Sequence, residues 1–326
     1  MLALTARIQG EEMDRDTGLM SIEIPPRFAA LIQQAQTFGP LPVVVVDAHE
    51  QHVLAGVLEA CDEGLIAPTL LGPQQAITAL CEQMNCPADR FPIVDVPADQ
   101  VAAELAVQLV LENKAAALIK GWIHTDILMH PVLAHLRGAR RVSHVFVADL
   151  PSYHKLLFVT DAAINIMPDL ATKAAILQNA IDLARLLNVP HPKAAALSAV
   201  EVVKPSIPST LDAACLSKMA QRGQITHAVV DGPLAFDNAI SSEAARVKQI
   251  VSEVPGDVDI LLAPDLDAGN ILAKDLEYLA SATLAGIVVG ARVPVILTSR
   301  SDPSAARLVS AAIAVLMHQH WGANDS

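Results

Sequence analysis

The stretch LLFVT at residues 156–160 is followed by LATKAAILQNAIDLARLL at 170–187 and by AAALS at 194–198. The first and third stretches are continuous apolar runs, which are typical of strands covered on both faces of a sheet. The middle stretch has a helical pattern and stops at Asn188-Val189-Pro190, where proline ends a helix. A strand, a helix and a strand in this order indicate an α/β fold with mostly parallel strands.

The same alternation continues along most of the chain. The predicted strands cover residues 43–46, 68–71, 93–96, 116–119, 144–148, 156–160, 194–198, 227–230, 260–263, 286–289 and 295–298, and the predicted helices include 170–187, 212–222, 242–251, 273–282 and 304–318. Ser242 and Ser304 are the expected N-caps of two of these helices. Eleven strands are many for one sheet, and 326 residues exceed one ordinary domain, so we expect two α/β domains with mostly parallel sheets. The basic turn at 136–141 is the expected boundary.

Composition and charge exclude several classes of function. Hydrophobic residues make up 52% of the chain and charged residues 17%, which is too apolar for a mainly disordered protein. A net charge of −13 and an aromatic content of 3% provide neither the basic face nor the stacking side chains of a nucleic-acid binder. No apolar run reaches the roughly 18 residues of a membrane span, and the start of the chain lacks the apolar core of a signal peptide. We therefore expect a cytoplasmic protein without nucleic-acid or membrane partners.

Several common active-site motifs are absent from the sequence. No two glycines are separated by one residue, so the dinucleotide fingerprint G-x-G-x-x-G is missing, as are the G-x-x-x-x-G-K phosphate loop and the G-x-S-x-G elbow. The sequence HEQH at 49–52 is one residue shorter than the zinc motif H-E-x-x-H, and we interpret His49 and His52 as surface residues. The four cysteines form no C-x-x-C pair and are expected to be reduced, mostly buried thiols. The sequence predicts no metal site.

Two polar segments directly follow predicted strands, where the ligands of parallel sheets bind. In the first, Gly121 lets a ligand approach the backbone and the Lys120 ammonium can bind a phosphate, although a solvated lysine before a turn is the alternative. In the second, SRSD at 299–302, the Ser299 hydroxyl, the Arg300 guanidinium and the Asp302 carboxylate precede a predicted helix. A guanidinium can bind phosphate or polarise a carbonyl, and the alternative is a capping turn with a surface ion pair.

Two further segments carry polar side chains after predicted strands. DGPLAFDN at 231–238 begins with Asp231, and PDLDAGN at 264–270 ends with Asn270 and opens a helix expected at about Ile271. A helix N-terminus after a glycine turn can bind a phosphate or a carboxylate. Each segment is also compatible with ordinary helix capping, above all at Asp237 and Asp267.

Taken together, these segments resemble the phosphate acyltransferases, the family of phosphotransacetylase and phosphotransbutyrylase. The matching blocks are, in order, SHVF at 143–146, TDAAIN at 160–165 with Pro168, DGPLAFDNA at 231–239, PDLDAGN at 264–270 with Lys274, and PVILTSR at 294–300. They span more than half of the chain, from residue 141 to about 317. The first 110 residues match less distinctly, and LIKG at 118–121 is the best anchor on that side.

The resemblance implies a reversible reaction in which acyl-CoA and phosphate give acyl phosphate and free CoA. It also implies a fold similar to that of isocitrate and isopropylmalate dehydrogenases, with two α/β domains around an active-site cleft. The last strand and helix return to the first domain, so the expected domains are 25–141 with 292–326, and 142–291, after an N-terminal extension at 1–24. CoA is then a substrate, neither a metal nor a tightly bound cofactor is needed, and a cytoplasmic homodimer is expected.

The resemblance also implies roles for individual residues. Arg300 is suited to bind phosphate and stabilise the charge on the carbonyl oxygen, and Ser299 to donate a hydrogen bond. The acetyl branch has an aspartate as base six residues after the arginine, where this chain has Ala306, so Asp302 is the substitute candidate. The expected contacts to phosphate and CoA are Lys120, Gly121, Arg141, Asp231, Asn270 and Lys274.

Two departures from the acetyl branch concern the acyl group. Pro233 follows Gly232 where that branch has glutamate, and Ala306 replaces its aspartate. Both features are similar to the butyryl branch. The expected substrate therefore carries a short-chain acyl group, butyryl or acetyl, with a lean towards a chain longer than acetyl.

Two other functions stay open at this point. A metal-dependent decarboxylating dehydrogenase of the same fold would need clustered acidic ligands and a nicotinamide pocket, and the sequence offers no clear set of either. A catalytically silent CoA- or phosphate-binding protein on the same scaffold is compatible with Ala306. The presence of Ser299, Arg300, Asn270 and Lys120 argues against it, because a silent relative has no chemical need for that polar set.

Overall fold

The computed structural model describes residues 24–298 and 302–321. The strands are β1 Leu41–Val46, β2 Ile66–Gly72, β3 Ile93–Asp95, β4 Ala117–Lys120, β5 Ser143–Asp149, β6 Leu157–Thr160, β7 Lys193–Leu197, β8 Val229–Leu234, β9 Ile260–Leu262, β10 Thr283–Val289 and β11 Val295–Ile296. The helices are α1 Pro26–Gln36, α2 Gln51–Asp62, α3 Gln74–Gln83, α4 Asp99–Leu111, α5 Thr125–His135, α6 Leu170–Leu186, α7 Pro208–Gln221, α8 Phe236–Ile240, α9 Ser242–Val247, α10 Leu266–Tyr278 and α11 Ser304–Trp321. The predicted α/β class is confirmed.

All eleven strands of the described part join one sheet in the order β3-β2-β1-β4-β11-β10-β5-β6-β9-β7-β8. The strands from β3 to β11 are mutually parallel, and so are those from β6 to β8. Between these halves, β10 is antiparallel to β11 and to β5, and β5 is antiparallel to β6. The two parallel halves therefore run in opposite directions. The mostly parallel character is confirmed. The strands share one sheet where the sequence predicts more than one, because two antiparallel strands connect the halves.

The central pair β5 and β10 holds the halves together. Their ladder runs from Thr283 opposite Asp149 to Val289 opposite Ser143. Every residue of β5 is buried, and so is every residue of β10 except Thr283. Burying one valine or leucine side chain contributes roughly 1.5–3 kcal/mol, so this ladder is a strong connection. One sheet thus runs through both expected domains, and the domain limits stay a prediction.

Helix α11 lies against the middle of the sheet. Every residue from Ala305 to Met317 is buried, and the helix packs on α1, α2 and β10. A helix that is buried on all sides belongs to a core. Its Ser310 hydroxyl donates to the carbonyl of Ala306 at 2.7 Å and accepts from the N–H of Gly286 at 3.1 Å, which fastens the helix to β10.

Helix α10 begins at Leu266 and not near Ile271 as the sequence predicts. The Asp265 carboxylate accepts a hydrogen bond from the N–H of Ala268 at 2.9 Å and so caps the first turn. Gly269 therefore lies inside the helix, where glycine is unfavourable by propensity. Tertiary packing requires glycine here, because a Cβ at this position would lie 2.4 Å from the carbonyl oxygen of Asp161.

Smaller corrections concern caps and thiols. Ser241 caps α9 in place of Ser242, and α7 starts at Pro208, since proline is favoured in the first helical turn. The four cysteines are free, but only Cys81 and Cys86 are buried. Within residues 24–298 and 302–321, no helix combines the length and the apolar character of a membrane span. The expected extension falls outside the described residues except for its last position, Ile24.

Candidate active site

Asp161 organises the loop that follows β6. Its carboxylate accepts hydrogen bonds from the backbone N–H groups of Ala163, Ile164 and Asn165 at 3.0, 3.1 and 3.2 Å. The side-chain amide of Asn165 donates to the same carboxylate at 2.6 Å and to the carbonyl of Val142 at 3.0 Å. Asp161 and Asn165 are both buried. These hydrogen bonds fix the conformation of the loop at the carboxyl end of β6.

Arg141 is hydrogen-bonded to this loop. Its Nε donates to Oδ1 of Asn165 at 3.1 Å, and its carbonyl accepts from Nδ2 of Asn179 at 2.6 Å. The residue is exposed, so its terminal N–H groups can reach an anionic ligand. The structure thus places this predicted residue beside the Asp161 loop.

Helix α10 also packs on this loop. Nδ2 of Asn270 donates to the carbonyl of Ala162 at 3.2 Å. Lys274 lies four residues further along, and residues at this spacing share one face of a helix. Two predicted ligand contacts therefore lie side by side on α10.

Lys274 and Asp302 meet although they are distant in sequence. Nζ of Lys274 lies 3.7 Å from Oδ1 of Asp302 and 2.7 Å from Oε2 of Glu277. Burial disfavours the charge of Lys274, but Glu277 and Asp302 outweigh burial and raise the pKa of Lys274. The ammonium therefore stays charged at neutral pH and is suited to hold an anion.

Arg307 connects Asp302 with the first half of the sheet. The residue is 8% exposed, and its Nη1 donates to Oγ1 of Thr298 at 3.0 Å. Burial lowers the pKa of Arg307, while the negative charges of Asp302 and Glu50 oppose that shift. Its side chain crosses α2 at Gly56, where a Cβ would lie 2.5 Å from Cδ of the arginine.

Lys120 and Gly121 lie at the carboxyl end of β4, against the loop that follows β1. The N–H groups of Gly121 and Trp122 donate to the carbonyls of Val46 at 2.9 Å and Asp47 at 2.8 Å. A Cβ on Gly121 would lie 2.1 Å from the Asp47 carbonyl oxygen, so only glycine fits. Lys120 is 5% exposed, and Nζ donates to the carbonyl of Gly121 at 3.4 Å. The alternative of a solvated lysine is therefore wrong.

The loop after β1 also carries an Asp–His pair. Nδ1 of His49 lies 2.5 Å from Oδ1 of Asp47. The Asp47 side chain is 6% exposed and that of His49 32%. His52 is exposed as predicted, whereas His49 is half-buried against Asp47.

The remaining predicted residues are placed differently. Asp231 lies in β8, the edge strand, and its carboxylate accepts from the N–H of Gly232 at 2.8 Å. Across the described ranges, no hydrogen bond or ion pair joins Asp231 to Asn270 or Lys274, and its role stays a prediction. Ser299 and Arg300, the first two catalytic candidates, lie outside the described residues.

The sequence does not predict a functional role for three residues of this region, Asp47, His49 and Arg307. Asp47 directly follows a predicted strand, so the strand-end rule that selects Lys120 would also have found it. His49 is two residues further, and Arg307 lies within an apolar helical pattern that gives no indication of its partners. Residues 24–298 and 302–321 contain no group of three His, Cys, Asp or Glu that could hold a metal ion.

Comparison with known proteins adds three findings to this geometry. The family described as phosphate acetyl/butaryl transferase matches residues 97–315. Phosphate acetyltransferase of Rhizobium meliloti is 50% identical over 295 residues, which are 90% of this chain and 93% of that protein. Phosphate butyryltransferase of Clostridium acetobutylicum is 39% identical over 293 residues, which are 89% of this chain and 97% of that protein. The crystal structure of a branched-chain phosphotransacylase from Enterococcus faecalis has a TM-score of 0.74 and 32% identity, and covers 86% of this chain and 99% of that one.

Proposed function

Because the chain belongs to the phosphate acetyl/butaryl transferase family, we propose that it catalyses the reversible transfer of a short-chain acyl group between CoA and inorganic phosphate. The observation that carries the location of the site is the contact of Lys274 on α10 with Asp302 before α11, at 3.7 Å. This contact joins elements of the two halves of the sheet, at a position where the sequence predicts substrate contacts. Ser299 and Arg300 directly precede this segment in the chain.

The chemistry of the reaction requires fixed positive charge. The CoA sulfur attacks the carbonyl carbon of the acyl phosphate, and the bond from that carbon to the phosphate oxygen breaks. Negative charge grows on the carbonyl oxygen and on the departing phosphate, and cations held in place stabilise it. Lys274, Lys120 and Arg300 supply such cations and make the site locally basic in a protein of net charge −13.

Other residues bind the substrates without taking part in the bond changes. Arg141 presents N–H donors beside the Asp161 loop. The glycine at 121 is required by the close packing on the Asp47 carbonyl, so a contact of Gly121 with a ligand stays a prediction. Asn270 fixes α10 on that loop, so that Lys274 is held in position. A base must also remove the thiol proton, because a thiol is mostly protonated at neutral pH. From the sequence, Asp302 is the candidate for that role.

The names of the similar proteins differ in the acyl group that is transferred. The relative from Rhizobium meliloti, named an acetyltransferase, is 50% identical, and the one from Clostridium acetobutylicum, named a butyryltransferase, is 39% identical. The comparisons therefore do not favour the lean towards the butyryl branch. We propose a short-chain acyl group and leave its length to measurement. The expected homodimer, the interdomain cleft and the lack of a tightly bound cofactor rest on the resemblance and stay predictions. The cytoplasmic location rests on the sequence pattern and also stays a prediction.

The proposed function is tested by CoA release from acetyl-, propionyl- and butyryl-CoA, with and without phosphate. We expect phosphate-dependent release by the wild type and at least a hundredfold reduction in Arg300→Ala, a loss of about 2.7 kcal/mol of transition-state stabilisation. The control is Arg292→Ala, an exposed arginine close in sequence, which should retain wild-type rates. Absence of release from all three substrates contradicts the proposal.

The alternative is a CoA- or phosphate-binding protein without turnover. The observation that favours it is Ala306, which is buried in α11 and offers no base. Calorimetry that detects CoA binding to a protein without acyl transfer would establish this alternative, and turnover of any of the three substrates excludes it.

A further inference from the structure

We propose that His49, oriented by Asp47, is the general base that takes the proton of the CoA thiol. This inference rests on the proposed function and names the residue that performs one of its steps. The motif reading of the sequence assigns His49 to the surface, and the pairing with Asp47 becomes visible only in the fold.

The hydrogen bond between the two residues prepares His49 for this role. An ionised carboxylate can only accept, so Nδ1 of His49 donates to Oδ1 of Asp47 at 2.5 Å. In the neutral imidazole Nε2 is then the nitrogen without a proton, and among the described residues it has no hydrogen-bond partner. With 32% of the side chain exposed, a substrate can reach this nitrogen. A carboxylate that orients an imidazole and stabilises its cation is a proven arrangement for proton transfer.

The pair is held by its backbone as well as by its side chains. Asp47 has φ of 66°, a left-handed conformation that aspartate tolerates better than most residues. Its carbonyl accepts from the N–H of Trp122 at 2.8 Å, and the N–H of Ala48 donates to the carbonyl of Leu71 at 3.0 Å. The loop is therefore fixed by β2 and by the segment after β4, next to the buried Lys120.

The neighbours of His49 and Ala306 in the chain, Glu50 and Arg307, interact, and Ala306 is the position from which the carboxylate of the acetyl branch is missing. Glu50 directly follows His49 and caps α2, accepting from the N–H of Val53 at 2.9 Å. Its charge acts on the guanidinium of Arg307, which directly follows Ala306. Helix α11, which carries Ala306 and Arg307, packs on α2, the helix that begins two residues after His49.

Asp302 is less suited to accept the proton. Its carboxylate is 5% exposed, lies 3.7 Å from the Lys274 ammonium and acts on the Arg307 guanidinium. The carboxylate is thus buried and held against two cations, so it presents little of its surface to a thiol. Its better role is to orient Lys274.

The proton balance of the step is simple. As the bond from sulfur to the carbonyl carbon forms, Nε2 of His49 takes the thiol proton. The bond from that carbon to the phosphate oxygen breaks with its electron pair on oxygen, and the imidazolium gives the proton to the departing phosphate. In the reverse direction the same nitrogen takes the proton from phosphate and returns it to the CoA sulfur. No further reactant is needed.

The experiment measures acyl transfer from acetyl phosphate to CoA by His49→Asn, His49→Ala, Asp47→Asn and the wild type. Asparagine keeps a donor for Asp47 but provides no base. We expect kcat to fall roughly a hundredfold or more in both His49 variants, with KM for CoA within about threefold of wild type, and to fall about tenfold in Asp47→Asn. Imidazole in the buffer should raise kcat of His49→Ala about tenfold, because it replaces the missing base. His52→Ala, at an exposed histidine in the first turn of α2, is the control and should equal the wild type.

Each other result overturns the proposal. A kcat of His49→Asn above about a third of the wild-type value shows that another group takes the proton. Lost activity in a folded His49→Ala that imidazole does not restore shows a structural role. If His49→Ala does not fold, the kcat of His49→Asn decides alone. An inactive wild type contradicts the proposed function itself, which separates that failure from the failure of His49.

Discussion

His144 is a buried polar residue whose side chain has no part in the proposed reaction. It is 0% exposed in β5, packs edge-on against Phe146 with ring centroids 4.4 Å apart, and neither ring nitrogen has a hydrogen-bond partner in the described part of the chain. The absence of a side chain on Gly286 leaves room for it, since a Cβ there would lie 3.1 Å from Nε2. Burial lowers the pKa of His144 to about 4, and the charge of Asp161 only partly opposes this. The residue is therefore neutral in the folded protein at neutral pH.

The low pKa of His144 predicts that the folded protein loses stability in mild acid. An unfolded histidine titrates near pH 6.5, so below that pH the unfolded chain takes up a proton that folded His144 binds only near pH 4. Stability contributed by the neutral form is complete above about pH 6.5 and is lost as the pH falls towards 4. Between pH 7 and pH 5 we expect the free energy of unfolding of wild type to fall by about 2 kcal/mol more than that of His144→Leu. Urea unfolding at both pH values measures this, and equal losses in the two proteins contradict it.

At the scale of elements, the position of α10 on the Asp161 loop determines where Lys274 lies. Close packing is possible because residue 269 is glycine, and Asn270 then reaches the carbonyl of Ala162. The packing of α10 on the loop after β6 therefore sets the position of Lys274 relative to Asp302. A shift of α10 would displace Asn270 and Lys274 together.

Gly269→Ala tests this packing. The new Cβ would meet backbone atoms of Asp161 and Ala162, at 2.4 and 3.2 Å, and rigid backbone cannot yield as a flexible side chain does. We expect a loss of about 1–3 kcal/mol in the free energy of unfolding and at least a tenfold lower rate of acyl transfer. Denaturant unfolding and the CoA-release assay measure the two effects. Asp275→Ala, exposed on the same helix, should change stability by no more than about 0.5 kcal/mol. Wild-type behaviour of Gly269→Ala shows that the contact is looser than described.

At the scale of the whole molecule, one sheet and one core run through both expected domains. The largest hydrophobic cluster includes Val43 of β1, Ile260 of β9 and Val309 of α11, which belong to different halves of the sheet or to the helix that covers its middle. The halves therefore share buried surface along the ladder of β5 and β10. Their relative position is set by this shared core and not by a linker.

Shared burial predicts that the halves unfold together. Of the two tryptophans, Trp122 follows β4 of the first half and Trp321 ends α11, whereas far-ultraviolet circular dichroism reports on helices of both halves. We expect urea transitions followed by fluorescence and by circular dichroism to coincide. Two separated transitions would show that the halves are independent domains.

The sequence by itself determined the order of strands and helices, the α/β class and the family blocks. Those properties depend on neighbours in the chain, such as the continuous apolar run at 156–160 and the helical pattern that ends at Asn188-Val189-Pro190. The same strand-end rule selects Lys120, whose role stays a prediction, and would also select Asp47.

Only the tertiary structure decided which of these residues meet. Arg307 lies within an apolar helix, and its proximity to Asp302 and Glu50 follows from the packing of α11 on α2. The start of α10 was missed because Gly269 opposes helix locally, while its contact with the Asp161 backbone favours it globally. Burial and charge pairing act between residues that are far apart in sequence, so local patterns contain no record of the partners.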